Sequence, residues 1–281
     1  MPPHEAIVHH CRLLRLPSLA ETVPEALNLA HQQDWSLENF LLYLLEQELL
    51  GRRQRRIERL LRAAHLPPDK TFDRFDQTRL PLRLRRQLPG LIQGDFINQA
   101  DNVLIFGQPG TGKTHLAAAL AYEWVHQDYS VWFTPTYKLV DGLLRAKRDY
   151  ELERELKRLD RFQVVILDDI GYVQQSREEM EVLFTFLAER YERRSVVITS
   201  NLVFSQWDQI FKDPLTTAAA IDRVVHHSRI IEFGPEMTSV RAEQAARRQQ
   251  QQKELKQQEV LKQQTTVLHQ NQPDQSQDGQ I

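Results

Sequence analysis

The chain has 281 residues, 41% hydrophobic and 26% charged, with a formal net charge of −2. That length suits one sizeable core with a smaller attached module, and the composition excludes a fibrous or wholly disordered chain. A single cysteine, Cys11, excludes an internal disulfide; with no apolar run of about 18 residues and no leader-like start, a cytoplasmic protein without membrane contact is expected.

The first clear helical signal opens at Trp35-Ser36, where Ser36 can cap and Trp35 is placed to pack on Phe40 as a hydrophobic staple. Leu37, Phe40, Leu41, Leu44, Leu45 and Leu49 recur at three- and four-residue spacing and predict one apolar stripe. The helix runs on through Arg52, Arg53, Arg55, Arg56, Arg59 and Arg62, with Ile57, Leu60 and Leu61 keeping the period until Pro67-Pro68 end it. Between Gly51 and Arg86 there are twelve Lys or Arg against four Asp or Glu. Clustered cations of one sign suit a nucleic-acid backbone, the alternative being an ordinary solvated helix face. Residues 1–68 are therefore expected to form an N-terminal helical module that binds DNA or a partner. Residues 69–100, broken by Pro81, Pro89 and Gly90, predict a linker with short helices.

From 101 to 241 short runs rich in β-branched and aromatic residues predict strands at 103–106, 131–134, 164–167, 196–199 and 230–233. Helical patterns at 115–126, 137–147, 178–191 and 217–225 fall between them. Such alternation predicts an α/β domain whose parallel sheet is flanked by helices, with ligands beyond the carboxyl ends of the strands. After Arg241 the composition turns to Gln, Lys and Glu, so 242–281 are expected to be a polar, partly disordered tail.

Gly107-Gln108-Pro109-Gly110-Thr111-Gly112-Lys113-Thr114 matches the phosphate loop at every fixed position, directly after a strand and before a helix. Its backbone N–H groups suit the phosphates of ATP, Lys113 the β and γ oxygens, and Thr114 a magnesium ion. The strand ending in Asp168-Asp169 supplies the second half of such a site. Asp168 is expected to hold magnesium, and Asp169 to orient or deprotonate the attacking water, unless it is a solvated turn carboxylate. The next predicted strand ends in Thr199-Ser200-Asn201, and Asn201 either senses the γ-phosphate or caps a turn.

Asp-Asp at one strand end, Thr-Ser-Asn at the next, and Ala220-Ile221-Asp222-Arg223 before a last strand resemble AAA+ ATPases of the helicase-loader and IstB group. The chain resembles IstB more closely still, from about Ser36 to Phe233. It takes in Phe40 to Arg53, Phe72 to Phe75, Arg190-Tyr191-Glu192-Arg193-Arg194-Ser195, Trp207, and Asp222-Arg223-Val224-Val225-His226-His227. The resemblance implies an ATPase that forms a ring or helical homo-oligomer on double-stranded DNA and engages an IstA-like transposase during insertion-sequence transposition. It also implies that Arg223 is an arginine finger acting on the neighbouring subunit's ATP.

Two departures bear on mechanism: Asp169 is a methylene shorter than the Glu many AAA+ proteins carry, and Ser239-Val240-Arg241 lacks the aromatic of the family's Ser-Tyr-Arg. Arg241 is thus either a γ-phosphate sensor or a surface arginine. His9-His10 and His226-His227 lack Cys or carboxylate partners at ligand spacing, so no metal beyond magnesium is expected. Rival readings are a DnaC-like helicase loader, a small-molecule kinase, and a DNA-coating scaffold switched by ATP with little hydrolysis.

Overall fold

The computed structural model describes residues 2–171, 176–202, 206–207, 224–234 and 239. Arg223, Arg241, most of the helix expected at 217–225 and the tail 242–281 lie outside the described residues. Five parallel strands, β1 (Asn102–Phe106), β2 (Val131–Pro135), β3 (Val164–Ile170), β4 (Ser195–Ser200) and β5 (Ser228–Glu232), form a sheet in the order β2-β3-β4-β1-β5. Each predicted strand is present; four are extended by one or more residues, and the one expected at 230–233 is shifted to begin two residues earlier and end one earlier. The central strands β1 and β4 are buried on both faces and need no polar alternation, the pattern of a covered parallel sheet, while the edge strand β5 is partly exposed.

Alternate strand residues point to opposite faces and build two cores. Val103, Ile105, Val164, Ile166 and Val197 pack with α6 (Lys113–His126), the fully buried Trp124 at its centre. Leu104, Phe106, Val165, Leu167 and Ile198 pack with α7 (Thr136–Arg148), α8 (Leu152–Leu159) and α9 (Arg177–Arg190). Ser176 opens α9 through a complete capping box with Glu179.

Ahead of the sheet lie α1 (Pro3–Leu13) and α2 (Pro17–Gln32), which the sequence left unassigned, and the long α3 (Leu37–Ala64). Ser36 caps α3 by accepting the Asn39 N–H at 3.2 Å. Trp35 does not staple as expected; its ring meets Tyr43 edge-on at 5.1 Å. Nor does the predicted apolar stripe face inward as a unit, for Leu44 is buried while Leu41, Leu45 and Leu49 are exposed. The buried side of the first half of α3 packs on Cys11, Leu19, Ala20, Val23 and Ala26 of α1 and α2. Further along, Ile57 and Ala64 belong to the core around α6, so one helix joins the small N-terminal cluster to the sheet domain.

Residues 82–93, read as part of a linker, form helix α4 (Leu82–Gln93), followed by the short α5 (Asp95–Asn98). Leu84, Leu88, Leu91 and Phe96 are buried in the core around α6, and the Trp124 indole donates to the Leu91 carbonyl at 2.8 Å. A segment that buries this much apolar surface is part of the body.

Candidate nucleotide site

The phosphate loop links the end of β1 to the start of α6. Gly107 is required by crowding: a Cβ there would lie 2.6 Å from the Phe233 Cβ, just beyond β5. Gly112, at φ +105°, takes a left-handed conformation that side-chain-bearing residues rarely adopt, and it turns the chain into α6. The loop is braced by Thr111 Oγ1 donating to the Gln108 carbonyl at 2.8 Å. Lys113 is buried, and its ammonium donates to the carbonyls of Gly107 (2.7 Å) and Gln108 (2.9 Å). Backbone N–H groups at the start of a 14-residue helix make this an anion site.

Across from the loop, β3 and β4 lose register. Leu167 pairs with Ile198 and Ile170 with Ser200, so Asp168 and Asp169 together oppose Thr199. This is a bulge, and its extra residue sits at φ +61°, making Asp169 left-handed without being glycine. Such a conformation costs about 1 to 3 kcal/mol and is kept where surroundings enforce it. Here the enforcement is Thr199, whose Oγ1 donates to Asp168 Oδ1 at 2.7 Å and accepts the Asp169 N–H at 2.8 Å. Thr136 Oγ1 holds the Asp168 carbonyl from the other side at 3.0 Å. The consequence is two carboxylates presented differently, with Asp168 half-buried and Asp169 exposed at the cleft.

A cleft of about 650 Å³ lies between these parts, lined by Gly110 to His115 of the loop and by Asp169 and Asn201. Asn201 Oδ1 is buried without a hydrogen-bond partner among the described residues, which is costly unless a ligand or water completes it. The donor set fits a hard cation: Thr114 offers a hydroxyl in the cleft, and Asp168 has only Oδ1 committed to Thr199. Of the sequence-predicted residues, Pro109 through Thr114, Asp169 and Asn201 line one cleft; Asp168 lies behind Asp169, and Gly107 and Gln108 form the loop's base.

The remaining wall was not expected. Residues 69–80, read as linker, bring Lys70, Arg74, Phe75 and Arg79 to the cleft. They are anchored by His115, whose Nε2 is 2.9 Å from the Thr71 carbonyl and whose ring meets Phe75 at 5.0 Å. In the sequence this wall is signalled by the family-like segment Phe72 to Phe75 and by the place of His115 directly after Thr114.

The six arginines of α3 are exposed, but four have internal work. Glu48, buried at 4% exposure, accepts the Leu19 N–H at 3.0 Å and pairs with Arg52 (2.8 Å) and Arg55 (3.3 Å). Burial alone raises its pKa; the donors Arg52 and Leu19 and the charges of Arg52 and Arg55 outweigh this, so its carboxyl titrates below the usual range. Arg53 and Arg56 share Asp128 at 3.4 and 3.2 Å, tying α3 to the end of α6. Arg59 and Arg62 have no acidic side-chain partner among the described residues. No helix among the described residues is long and apolar enough to cross a membrane.

A family model described as IstB-like ATP binding protein matches residues 9–248. An insertion-sequence ATP-binding protein of Sinorhizobium fredii is 41% identical over 236 residues, covering 84% of this chain and 79% of that one. The insertion sequence IS21 ATP-binding protein of Pseudomonas aeruginosa is 37% identical over 236 residues, 83% of this chain and 88% of the relative. Among solved structures, DnaI superposes with a TM-score of 0.51 at 20% identity, covering 61% of this chain and 96% of its own. Domain III of the Thermotoga maritima replication initiation protein DnaA gives 0.50 at 16% identity, covering 60% and 69%. At that identity the structural likeness is one of fold. The phosphate loop, the paired carboxylates across from it and these matches over most of the length place the chain in the IstB-like ATP-binding protein family of insertion sequences, as an ATP-binding protein of AAA+ fold.

Proposed function

We propose that this protein hydrolyses magnesium-bound ATP and uses the cycle to build and dismantle a homo-oligomer on double-stranded DNA that engages a transposase. The observation that carries the catalytic half is the bulge at Asp168-Asp169, bridged by Thr199 and facing the phosphate loop. Lys113 compensates charge on the β and γ phosphates once it exchanges the Gly107 and Gln108 carbonyls for them. Thr114 and Asp168 would hold a magnesium ion, whose charge would offset that of the phosphates. Asp169 accepts a proton from the water that attacks the γ-phosphorus as the bond to the ADP oxygen breaks. Asn201 orients that water through its unpartnered Oδ1, its amide N–H groups facing the phosphate. Arg223 supplies charge from the adjacent subunit, as the family resemblance implies.

The insertion-sequence names of the relatives support the transposition half. DNA contact is assigned to α3. Each of Glu48 and Asp128 faces two arginines, so one positive charge is left over at each, and Arg59 and Arg62 add theirs. The side chains of Arg52, Arg53, Arg55 and Arg56 remain 44% to 59% exposed, open to phosphate oxygens. Roughly four neutralised phosphates per subunit give a slope of log affinity on log salt near −4.

The test is a DNA titration across salt with a nonhydrolysable ATP analogue, alongside electron microscopy of the complexes. Wild-type protein forms rings or filaments on duplexes of unrelated sequence, and Lys113→Ala forms none. Arg59→Gln with Arg62→Gln, which strands no carboxylate, flattens the slope by about two. An unchanged slope removes α3 from the DNA surface, and nucleotide-independent assembly overturns the ATP-driven cycle.

A further inference from the structure

At the opposite end of the sheet from the nucleotide cleft, where β4 and β5 begin, three side chains converge that no nucleotide chemistry uses. Glu192 stands in the turn before β4, and His226 and His227 stand directly before β5. One ligand-type atom from each lies within 4.8 Å of the other two, and all three residues are exposed. His227 Nε2 is 3.4 Å from a Glu192 carboxylate oxygen, and the two imidazole rings are 4.2 Å apart and nearly perpendicular. The geometry points to a transition-metal site at this corner, in which Glu192, His226 and His227 hold a divalent ion of the zinc class.

Three features of the corner favour a built site over a chance meeting of surface groups. First, Glu192 sits at φ +56°, a left-handed conformation that a glutamate adopts at a cost of about 1 to 3 kcal/mol, and its carboxylate lies 3.4 Å from His227 Nε2. Second, the Tyr191 hydroxyl lies 3.1 Å from His226 Nδ1. When Nδ1 carries the ring proton and donates it to that oxygen, the Nε2 lone pair is directed outward as a ligand, the usual arrangement behind a metal-bound imidazole. Third, the two turns are fastened together beneath the cluster by the buried Asn102, the first residue of β1. Its N–H donates to the His227 carbonyl at 2.7 Å, its Nδ2 donates to the Val224 carbonyl at 3.2 Å, and its Oδ1 accepts the Val196 N–H at 2.9 Å. A single buried amide thus holds the segment before β5 and the start of β4 at fixed separation.

The donor set selects the metal. Two imidazoles and a carboxylate favour zinc, nickel, cobalt or copper, whereas magnesium and calcium take oxygen ligands only. Zinc–ligand bonds of about 2.0 to 2.2 Å in a tetrahedron separate the donor atoms by roughly 3.4 Å. The His227 to Glu192 separation already has this value, and small rotations of two exposed rings close the rest. Three protein ligands leave the fourth position to water. The bound ion would lock residues 226–227 to the turn at 192, immediately after the segment that carries Arg223. This inference stands apart from the hydrolysis reading, since neither the cleft nor its residues take part.

The test uses full-length protein with any affinity tag removed and millimolar magnesium present, so that the hard-oxygen donors in the cleft are satisfied. Cobalt(II) is titrated while its visible ligand-field bands are recorded, and zinc(II) is then added in competition with a chromophoric chelator. The expected result is one zinc per chain and cobalt bands of a four- or five-coordinate nitrogen and oxygen site. Glu192→Gln and His227→Asn each weaken binding by more than 10-fold, and Tyr191→Phe by about 10-fold through loss of its bond to His226. His9→Ala with His10→Ala, an adjacent pair without a converging carboxylate, leaves binding unchanged. Glu192 and His227 are exposed and Tyr191 is half-buried, and thermal midpoints measured in chelator should match wild type for Glu192→Gln and His227→Asn. Absence of stoichiometric binding in the wild type, or equal binding in Glu192→Gln and His227→Asn, overturns the site and leaves an ordinary histidine–glutamate ion pair.

Discussion

Replacing Thr199 by valine keeps the shape of the side chain and removes one oxygen that serves both carboxylates of the cleft. Two bonds are lost: Oγ1 to Asp168 Oδ1 at 2.7 Å, and the Asp169 N–H to Oγ1 at 2.8 Å. A hydrogen bond to a charged group is worth about 1.5 to 3 kcal/mol, and an orphaned, partly buried N–H costs about 1 to 3. Partial solvent access at this bulge lowers both, so a net loss of about 2 to 4 kcal/mol is expected. For a protein of this size that lowers the thermal midpoint by roughly 4 to 16 °C. The catalytic effect is larger in proportion, because the bulge then loses the hydroxyl that bonds both the Asp168 carboxylate and the Asp169 N–H. A displacement of about 1 Å of a catalytic group costs on the order of 100-fold in rate, while ATP affinity, which rests on the loop, changes little. Phosphate release and fluorescent-nucleotide binding, measured well below the lowered midpoint, separate the two effects. Thr199→Ser retains the oxygen and should restore most of the rate. Wild-type hydrolysis by Thr199→Val, or failure of the serine to rescue, would refute the positioning argument.

Glu48→Gln removes the charge shared by Arg52 and Arg55 and should destabilise the N-terminal helices by about 1 to 3 kcal/mol, seen as loss of a folding transition in urea, without altering nucleotide binding. Because the folded pKa of Glu48 lies below its unfolded value near 4.3, its contribution is full above that pH and is lost as pH falls toward the folded value. The variant should therefore show a flatter fall in stability over that acid range than the wild type. For the trans-acting role of Arg223, the Arg223→Ala and Lys113→Ala proteins should each be inactive alone and recover partial phosphate release when mixed. Native mass spectrometry that finds mixed assemblies without activity would place the arginine elsewhere.

The strands were legible because five short runs of β-branched residues stand between turn signals, and a sheet covered on both faces tolerates such unbroken runs. The phosphate loop was equally legible, since its chemistry needs fixed residues at fixed spacing. Short helices are expected in the linker, but Pro89 and Gly90 hide the full length of α4 and its place in the core, although Leu84, Leu88 and Leu91 carry the helical spacing. The arginines read as a free basic face, because nothing local marks Glu48 as buried or brings Asp128 across from the end of α6. In the sequence Thr199 stands out only as a neighbour of Asn201; its role depends on a bulge in a different strand. Glu192 lies 34 residues before His226, so the carboxylate that completes that cluster appears only when β4 and β5 flank β1.

The left-handed Asp169, presented beside the phosphate loop, is what we propose makes this protein an ATPase. Single-turnover phosphate release on DNA, comparing wild type with Asp169→Asn, tests it most directly. The wild type should release phosphate measurably and the variant at least 100-fold more slowly, while still binding ATP and assembling because Lys113, Thr114 and Asp168 are untouched. Equal release by the two proteins would contradict it, as would a wild-type protein that assembles with ATP yet releases no phosphate.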